Sequence, residues 1–363
     1  MKKFITISIG LLSISTVIYS QPYKKYKILE NAYKLYINSN QGSISTNIEY
    51  DDQQNELIRS VQKPKNQIEI FNIKTGRLKK IIPTKISLLG SFTKISTNLF
   101  CIHDPIVRSY YLIDSYGKIL DKIKEADYSN NIVYLHTSPY PYTPIIFYKN
   151  AFFVTGMVMF KDLNNIDPNK LKTTGIVEKF SFKQREVSYI GAPTIKALSN
   201  FYGNMSAYSL TLNKNNLICA PHFSDEILII NLDNNTSKLV HLKTKYGSQI
   251  KPLSTIPDAK KYSNFERNQY YKQSYTNIGF VYDKYRRIYY RFVRYPLKSP
   301  GAMEAAVLVF DENFNLLLDQ KIDHKKYNVS KFFVSPKGLA ILNIEKYKRN
   351  DINLIFDVFI PIS

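Results

Sequence analysis

The chain has 363 residues, of which 44% are hydrophobic and 14% aromatic, with Tyr 29, Phe 21 and Trp 0. This length and composition exclude global disorder, leave room for a large core in one all-β domain or in two or three smaller ones, and favour strands over helices. Lys and Arg together number 50 against 29 acidic residues, a formal charge of +21, which attracts anionic partners. An AT-rich codon bias produces the same excess, so charge indicates binding only where it clusters.

The amino terminus predicts export. Two lysines precede an uncharged and mostly apolar run from Phe4 to Tyr19, and the small residue Ser20 follows it. Because this pattern is typical of a secretory signal peptide, we expect a signal peptide over 1–20 and a single mature domain over 21–363 in the periplasm, at the cell surface or secreted. A buried first strand and a retained membrane anchor are the alternatives. No later segment resembles a membrane span, so we expect no transmembrane span in the mature chain.

A strand pattern repeats along the chain. Asn98–Cys101 leads through a polar loop to a second apolar run, Tyr110–Asp114, and Asn216–Cys219 leads in the same way to Ile227–Asn231. Short apolar runs bounded by Gly, Asn, Asp and Pro are strand and hairpin signals. Counted in this way, the chain contains five four-stranded units and a sixth unit of three strands. The units span approximately 45–82, 91–124, 143–190, 204–242, 276–322 and 329–360.

A closed ring of four-stranded blades accounts for this repeat. The sixth unit lacks a fourth strand, and the segment 26–36 is available to supply it. We therefore predict an all-β fold, a six-bladed β-propeller of four-stranded antiparallel blades closed by pairing of the N- and C-terminal segments. A two-domain all-β arrangement is the alternative.

Three features carry a family resemblance: the Tyr- and Arg-rich segment Tyr282–Phe292, the run Pro139–Tyr142 and the closing unit. With these features the chain resembles secreted six-bladed β-propeller proteins of the TolB-like or NHL-like kind. The similarity is closest to an exported bacterial family known only as a domain of unknown function, and it extends over 21–363. The resemblance implies an exported propeller and supplies no catalytic residues.

Loop lengths predict which face of the propeller binds. In an up-and-down blade, the loop between the second and third strands and the connection to the next blade emerge on one face, and the other two turns emerge on the opposite face. Long connections that are not linkers are usually functional. We therefore predict that binding takes place on the first face, called here the long-loop face, although insertions without a ligand are the alternative. The long connections assigned to it are 125–142, 161–173, 191–202, 243–275 and 296–304.

Cations, histidines and aromatic residues gather on the predicted rim of the long-loop face. Guanidinium and ammonium groups interleaved with aromatic rings suit an anionic sugar, a carboxylated peptide end or an acidic protein surface. The alternatives are a solvated or inter-blade strand face for the arginines, a structural corner for the tyrosines, and satisfied surface or rim positions for the histidines. The candidate binding residues are Tyr140, Tyr142, His103, His222, Arg291, Arg294 and Lys298.

No catalytic signature accompanies these residues. The motifs Gly-x-Ser-x-Gly and His-Glu-x-x-His, the phosphate-binding loop and the dinucleotide glycine pattern do not occur in the sequence, so we predict no catalytic residues and no cofactor. The alternative is a lactonase-like propeller hydrolase or lyase with a divalent cation at the central channel mouth, for which Asp104, Asp225 and Glu226 are candidate ligands. Cys101 and Cys219 fall at equivalent positions two blades apart, too far for a disulfide, so we expect buried free thiols.

These patterns together predict an exported binding module with no catalysis of its own. We expect an anionic small ligand, a glycan or an envelope protein as the partner, held on the long-loop face. No nucleic-acid motif is present, so we expect no nucleic-acid partner. We also expect a monomer. A purely structural member of an envelope assembly is a third interpretation.

Overall fold

The computed structural model describes residues 23–37, 47–62, 65–125, 133–136, 143–160, 175–192, 200–203, 207–255, 261–297, 304–349 and 353–362. The strands are, in chain order, β1 (Lys25–Tyr36), β2 (Ile48–Asp51), β3 (Glu56–Val61), β4 (Gln67–Asn72), β5 (Leu78–Pro83), β6 (Phe92–Ser96), β7 (Leu99–Asp104), β8 (Ser109–Asp114), β9 (Ile119–Lys124), β10 (Val133–His136), β11 (Ile146–Tyr148), β12 (Ala151–Val154), β13 (Met157–Phe160), β14 (Val177–Ser181), β15 (Glu186–Ile190), β16 (Asn200–Phe201), β17 (Tyr208–Asn213), β18 (Asn216–Pro221), β19 (Glu226–Asn231), β20 (Ser237–His241), β21 (Ser254–Thr255), β22 (Thr276–Asp283), β23 (Ile288–Arg294), β24 (Ala305–Phe310), β25 (Leu316–Ile322), β26 (Tyr327–Ser335), β27 (Gly338–Asn343) and β28 (Asn353–Ile362). Two α-helices, α1 (Asn264–Gln273) and α2 (Ile344–Arg349), lie between strands.

These strands form six four-stranded antiparallel sheets, which are the blades of a propeller. From the innermost strand outward, blade 1 contains β2–β5, blade 2 contains β6–β9, and blade 3 contains β11, β12, β14 and β15. Blade 4 contains β17–β20, blade 5 contains β22–β25, and blade 6 contains β26, β27, β28 and β1. The predicted all-β fold, a six-bladed β-propeller, is confirmed.

The ring is closed by the amino-terminal strand. β1 pairs antiparallel with β28, from Lys25 opposite Ile362 to Tyr36 opposite Asn353. A register shift in β1 places Asn31 at φ 53, and its N–H donates to the carboxylate of Asp357 on β28 at 2.8 Å. Blade 6 therefore combines an amino-terminal strand with three later strands, and this pairing closes the ring.

A hydrophobic cluster fills each of the six interfaces between neighbouring blades. Between blades 4 and 5, for example, the cluster includes Ile218, Ile229, Phe280 and Leu308, each of which is buried. The blades are buried on both faces because each packs against two neighbours, and this explains why β3, β23, β24 and β27 are buried along their whole length. The cores between the other blade pairs have the same construction.

A repeated turn connects the third and fourth strands of four blades. In each, an Asx side chain at the end of the third strand accepts a hydrogen bond from a backbone N–H two residues later, which favours a tight turn. The four residues are Asn72, Asp114, Asn231 and Asp311. In blade 1 the turn continues to Gly76 at φ 69, where an added Cβ would lie 1.9 Å from the carbonyl oxygen of Lys34 on β1. This turn therefore requires glycine, both for its backbone and for its close approach to the neighbouring blade.

The two cysteines lie in different interfaces. Cys101 belongs to the cluster between blades 2 and 3, and Cys219 belongs to the cluster between blades 3 and 4. Both are buried free thiols, and burial raises the pKa of Cys219 to about 12. None of the helices in the described segments has the length and apolar character needed to cross a membrane.

Candidate functional site

Every element outside the blades, within the described residues, lies in a connection on the long-loop face. β10 precedes blade 3 and pairs with β13, which follows the second strand of that blade. β16 and β21 pair with each other in the connections before and after blade 4, and α1 follows β21. α2 joins the second and third strands of blade 6. The long-loop face thus carries the added structure, while the opposite face, called here the tight-turn face, carries short turns.

Two arginines of β23 are buried beneath this added structure. Arg291 and Arg294 lie near the end of the strand that reaches the long-loop face, and each side chain is 1% exposed. β23 is the second strand of blade 5, and it is covered by the strands beside it and by the neighbouring blades. Burial lowers the pKa of both guanidinium groups.

Arg291 binds mainly backbone carbonyl groups of blade 4. Its Nη2 donates to the carbonyl oxygen of Ser224 at 2.5 Å and to that of Pro221 at 3.2 Å. The nearest carboxylate oxygen, from Asp225, is 3.7 Å away. That carboxylate also accepts hydrogen bonds from the hydroxyl of Thr244 and, at 3.5 Å, from the amide of Asn277. Asp225 therefore compensates Arg291 at a distance rather than through a close hydrogen-bonded pair.

Arg294 binds no carboxylate among the described residues. Its Nη2 donates to the carbonyl oxygens of Tyr271 and Ser274 and to the hydroxyl of Thr276, the last at 3.1 Å. The ring of Tyr271 lies over the guanidinium, with its centroid 3.9 Å from Cζ. A cation–π contact of this kind stabilises a desolvated guanidinium by about 2 kcal/mol, which falls short of what a carboxylate partner supplies in a buried pair.

His222 completes the group. It follows β18 directly, its side chain is 7% exposed, and its Nε2 lies 3.2 Å from the hydroxyl oxygen of Ser209. Burial, together with the charges of Arg291 and Arg294, lowers the pKa of His222 to about 3. The imidazole is therefore neutral at physiological pH and adds no third positive charge. We call His222, Asp225, Asn277, Arg291 and Arg294 the arginine–histidine cluster.

The cluster has more polar groups than partners. Within the described residues, four of its buried polar atoms have no hydrogen-bond partner, and these are Arg291 Nε, Arg291 Nη1, Arg294 Nε and Asn277 Oδ1. It contains two guanidinium groups and one carboxylate. A third buried arginine of the propeller, Arg59, differs because its Nε donates to Glu69 at 2.7 Å in a close ion pair. The charge of Arg59 is thus balanced by a close carboxylate, as a buried cation requires. The two positive charges of the arginine–histidine cluster are balanced only in part.

The connection between blades 4 and 5 covers the cluster. A 3₁₀ turn, Gly247–Gln249, passes so close to Asp225 that an added Cβ on Gly247 would lie 2.3 Å from its Oδ2. α1 begins with a capping box, in which Ser263 accepts from the N–H of Glu266 and Glu266 accepts from that of Ser263. None of the α1 residues is buried. The cover is therefore a polar helix whose Tyr271 contacts the cluster.

A second polar group lies in blade 2. His103 is buried, and its Nε2 lies 2.5 Å from a carboxylate oxygen of Glu125, which also accepts from Nε of Arg108 at 2.8 Å. The hydrogen bonds and charges of His103 and Arg108 lower the pKa of Glu125, against the effect of burial. This carboxylate has a hydrogen bond on each oxygen, so the blade 2 group is internally satisfied and ties the end of β9 to the end of β7.

The structure brings together three of the seven residues predicted for binding: His222, Arg291 and Arg294. His103 belongs to the separate group in blade 2. Tyr140, Tyr142 and Lys298 lie outside the described residues. The four described residues are all buried, although sequence analysis placed them on a rim. Whether any of the seven contacts a ligand stays a prediction.

The sequence did not indicate Asn277 as a site residue, and it indicated Asp225 only as a candidate metal ligand. The one feature of the sequence that could have indicated Asn277 is its position as a polar residue near the start of a mostly apolar strand. Within the described residues, no three His, Cys, Asp or Glu side chains gather in a way that could hold a metal ion. The metal-dependent alternative stays a prediction.

Comparison with known proteins identifies the family and the fold. The family model described as "Domain of unknown function (DUF4221)" matches residues 35–321. A crystal structure of a DUF4221 member from Bacteroides vulgatus superimposes with a TM-score of 0.74 at 17% identity, covering 93% of this chain and 98% of that one.

Two further structures are less similar. A luciferin-regenerating enzyme gives a TM-score of 0.48 at 9% identity and covers 92% of this chain and 95% of that one. Virginiamycin B lyase from Staphylococcus aureus gives a TM-score of 0.46 at 10% identity, and the superposition covers 93% of this chain and 100% of that one. No curated protein matches the chain.

Proposed function

The chain belongs to the DUF4221 family, and on that premise we propose that it is a binding module that holds an anionic group at the arginine–histidine cluster. The observation that carries the proposal is the pair of buried guanidinium groups, of which only Arg291 has a carboxylate nearby, with three N–H nitrogen atoms unpaired among the described residues. Buried polar groups are normally hydrogen-bonded, and buried charges are normally paired. An anion that accepts hydrogen bonds from these nitrogen atoms would satisfy the buried N–H groups and also balance the buried positive charge.

The chemistry of the cluster indicates which anion fits. A guanidinium presents a planar fork of donors that matches carboxylate, sulfate and phosphate oxygens. The neutral His222 and the amide of Asn277 add hydrogen-bonding groups for hydroxyls beside the anion. A sugar acid, which combines a carboxylate with several hydroxyls, uses both kinds of group.

Access to the cluster requires its cover to move. Tyr271 lies against Arg294, and α1 has no fully buried residue, its contacts with the core between blades 3 and 4 being those of the partly buried Tyr270 and Tyr271. Segments with few buried apolar contacts open at low free-energy cost. We propose that an incoming carboxylate displaces Tyr271 from the guanidinium and that α1 moves with it.

The wider setting of this function is also a proposal. We propose that the segment 1–20 directs export, so that the propeller acts in the periplasm, at the cell surface or outside the cell. We propose further that the mature protein is a monomer that takes an anionic small ligand, a glycan or an acidic protein surface through the long-loop face.

A thermal-shift experiment with one matched pair of sugars tests the proposal. The probes are glucuronate and glucose, which differ mainly in the carboxylate, together with sulfate as a simple anion. A ligand that binds only the folded state raises the melting temperature by mass action. We expect glucuronate to raise the melting temperature of the wild-type protein and glucose to leave it unchanged.

Two variants locate the site. Arg294→Gln removes one guanidinium, and we expect affinity for glucuronate to fall at least about tenfold, because a hydrogen bond to a charged group contributes about 1.5–3 kcal/mol. Arg185→Gln removes an exposed arginine that pairs with Asp121 on the outer part of the ring, and it should leave the response unchanged. An equal response in wild type and Arg294→Gln contradicts the assignment of the anion to this cluster.

A further inference from the structure

The central channel of the propeller contains two adjoining cavities. The inner one, of about 210 Å³, is lined by residues of five blades, most of them apolar, including Phe92, Ile145, Val281 and Phe333. The outer one, of about 270 Å³, lies at the tight-turn face between the first turns of blades 1, 2 and 5. Glu49 and Tyr50 of β2 line both cavities. The channel is thus a polar vestibule that leads to an apolar chamber, with Glu49 where the two meet.

Glu49 differs from the other carboxylates of the vestibule. Asp51 pairs with Lys94 at 2.6 Å, and Asp52 pairs with Lys284 at 2.7 Å. The Lys94 ammonium also binds Glu56 on β3. Within the described residues, no cationic side chain forms an ion pair with Glu49.

The nearest donor to Glu49 is a backbone group. The N–H of Lys94 donates to its Oε2 at 3.3 Å. Burial raises the pKa of Glu49 to about 7, and the charge of Asp51 acts in the same direction, while the N–H and the ammonium of Lys94 oppose both. Such a carboxyl costs free energy when it ionises without a cation beside it.

The vestibule is also acidic in a basic protein. Its lining holds the carboxylates Glu49, Asp51 and Asp52 against the ammonium groups of Lys94 and Lys284, whereas the whole chain has a formal charge of +21. Because Asp51 pairs with Lys94 and Asp52 pairs with Lys284, the charge that is left over in the vestibule is that of Glu49 when it is ionised. The channel therefore favours a cation, although the rest of the molecule favours anions.

From these features we infer that the central channel binds a small organic ammonium, with the ammonium group on Glu49 and an apolar body in the inner chamber. A single unpaired carboxylate suits an ammonium, which needs few ligands, rather than calcium, which takes six to eight oxygens. A cavity of about 150 Å³ accepts benzene, so the chamber of about 210 Å³ accepts a phenyl ring with a short side chain. This site is separate from the proposed anion site, because it lies in the central channel around Glu49 of blade 1 and takes the opposite charge.

Calorimetric titration with three compounds of similar size tests the inference. The probes are benzylamine, benzyl alcohol and benzoate, which are cationic, neutral and anionic around the same ring. At pH 8, where Glu49 is ionised, we expect the wild-type protein to bind benzylamine at least about tenfold more tightly than the other two, as expected for a desolvated charged pair. We expect affinity for benzylamine to fall about tenfold between pH 8 and pH 6, because Glu49 has a pKa of about 7.

Two variants test separately what the Glu49 carboxylate and the apolar chamber contribute to binding. Glu49→Gln keeps the shape and removes the charge, and it should weaken benzylamine about tenfold or more without affecting benzyl alcohol. Val281→Phe fills part of the inner chamber and should weaken both compounds. Glu186→Gln, at an exposed position on the outer strand of blade 3, is the control and should bind as wild type.

Glu49→Gln is expected to fold, because it removes a carboxyl whose charge the channel disfavours. Should it fail to fold, the pH series on the wild-type protein and the Val281→Phe titration still decide the question. Absence of benzylamine binding by the wild-type protein at pH 8, or equal affinity in Glu49→Gln, overturns the inference. Because the probe is a cation, this result stands apart from the glucuronate experiment.

Discussion

At the scale of single residues, burial decides how the charged side chains of this propeller behave. Arg59, Arg291 and Arg294 are all fully buried arginines of second strands. Arg59 forms a close pair with Glu69 and serves the packing of blade 1. Arg291 and Arg294 rely on carbonyl groups, one distant carboxylate and one aromatic ring. Arg291 and Arg294 form a candidate site because their charges lack a close carboxylate, whereas Arg59 has one.

The low pKa of His222 predicts a loss of stability in acid. The unfolded chain takes up a proton at His222 near pH 6.5, whereas the folded protein holds the imidazole neutral down to about pH 3. Below about pH 6.5 the unfolded state therefore binds more protons, and the free energy of unfolding falls by about 1.4 kcal/mol for each pH unit. The positive charges of Arg291 and Arg294 add to the effect of burial and oppose protonation of the imidazole.

Urea unfolding at pH 7.5 and pH 5.5 measures this effect. We expect the wild-type protein to lose more stability between the two pH values than His222→Gln, by about 1 kcal/mol or slightly more. His241→Gln, at an exposed position of the outer strand β20, is the matched control and should keep the acid sensitivity of the wild type. Equal losses in wild type and His222→Gln would show that His222 titrates normally in the folded state.

The position of the candidate site could be predicted from the sequence, but its burial could not. His222, Arg291 and Arg294 follow or end second strands, where the strand pattern predicts that the chain reaches the long-loop face. β23 alternates aromatic and cationic residues, which in an isolated strand indicates one exposed side. Because both sides of a blade are covered by neighbours, β23 is buried throughout. Packing against the neighbouring blades buries the residues that the local sequence pattern predicts to be exposed on the rim.

At the scale of elements, the connection between blades 4 and 5 positions the site. The sequence places this connection, 243–275, among the long ones and does not predict its secondary structure. Its helix α1 carries a readable capping box at Ser263 and Glu266, but it lacks the apolar periodicity that predicts an amphipathic helix. The 3₁₀ turn at Gly247–Gln249 has no readable signal, because the need for glycine arises from contact with Asp225 in another segment.

That contact makes Gly247 a test of how the connection supports the cluster. An added methyl in Gly247→Ala must move the turn or Asp225, and overpacking of this kind costs about 1–3 kcal/mol. We expect reduced stability in urea and a weaker thermal response to glucuronate. Ser248→Ala, at the exposed neighbouring position in the same turn, should change neither. An unchanged response in Gly247→Ala would separate the turn from the site.

At the scale of the whole molecule, the fold follows from features that are local and repeated. Short apolar runs, Asx turns at equivalent places such as Asp114 and Asn231, and a last unit with one strand too few predict six blades and their closure by the amino-terminal segment. The structure confirms this fold class. The two small sheets were not predicted, because β16 and β21 have two residues each and pair between separate connections.

The two faces of the ring differ in chemistry as well as in loop length. The long-loop face holds incompletely compensated cations beneath α1, and the tight-turn face opens to an acidic vestibule. The Glu49 site had no signal in the sequence, since a carboxylate on an inner strand acquires its role only when five blades surround it. Two proposed sites of opposite charge would both serve the proposed binding function.

The most direct test of the central claim observes the arginine side chains themselves. In protein labelled with ¹⁵N-arginine, the Nε–H resonances of Arg291 and Arg294 report whether an anion reaches them, and that of Arg59, already bonded to Glu69, serves as the internal control. On addition of glucuronate we predict that the Arg291 and Arg294 resonances shift, that Arg59 stays unchanged, and that glucose moves none of them. Resonances of Arg291 and Arg294 that stay fixed at saturating glucuronate would contradict anion binding at this cluster.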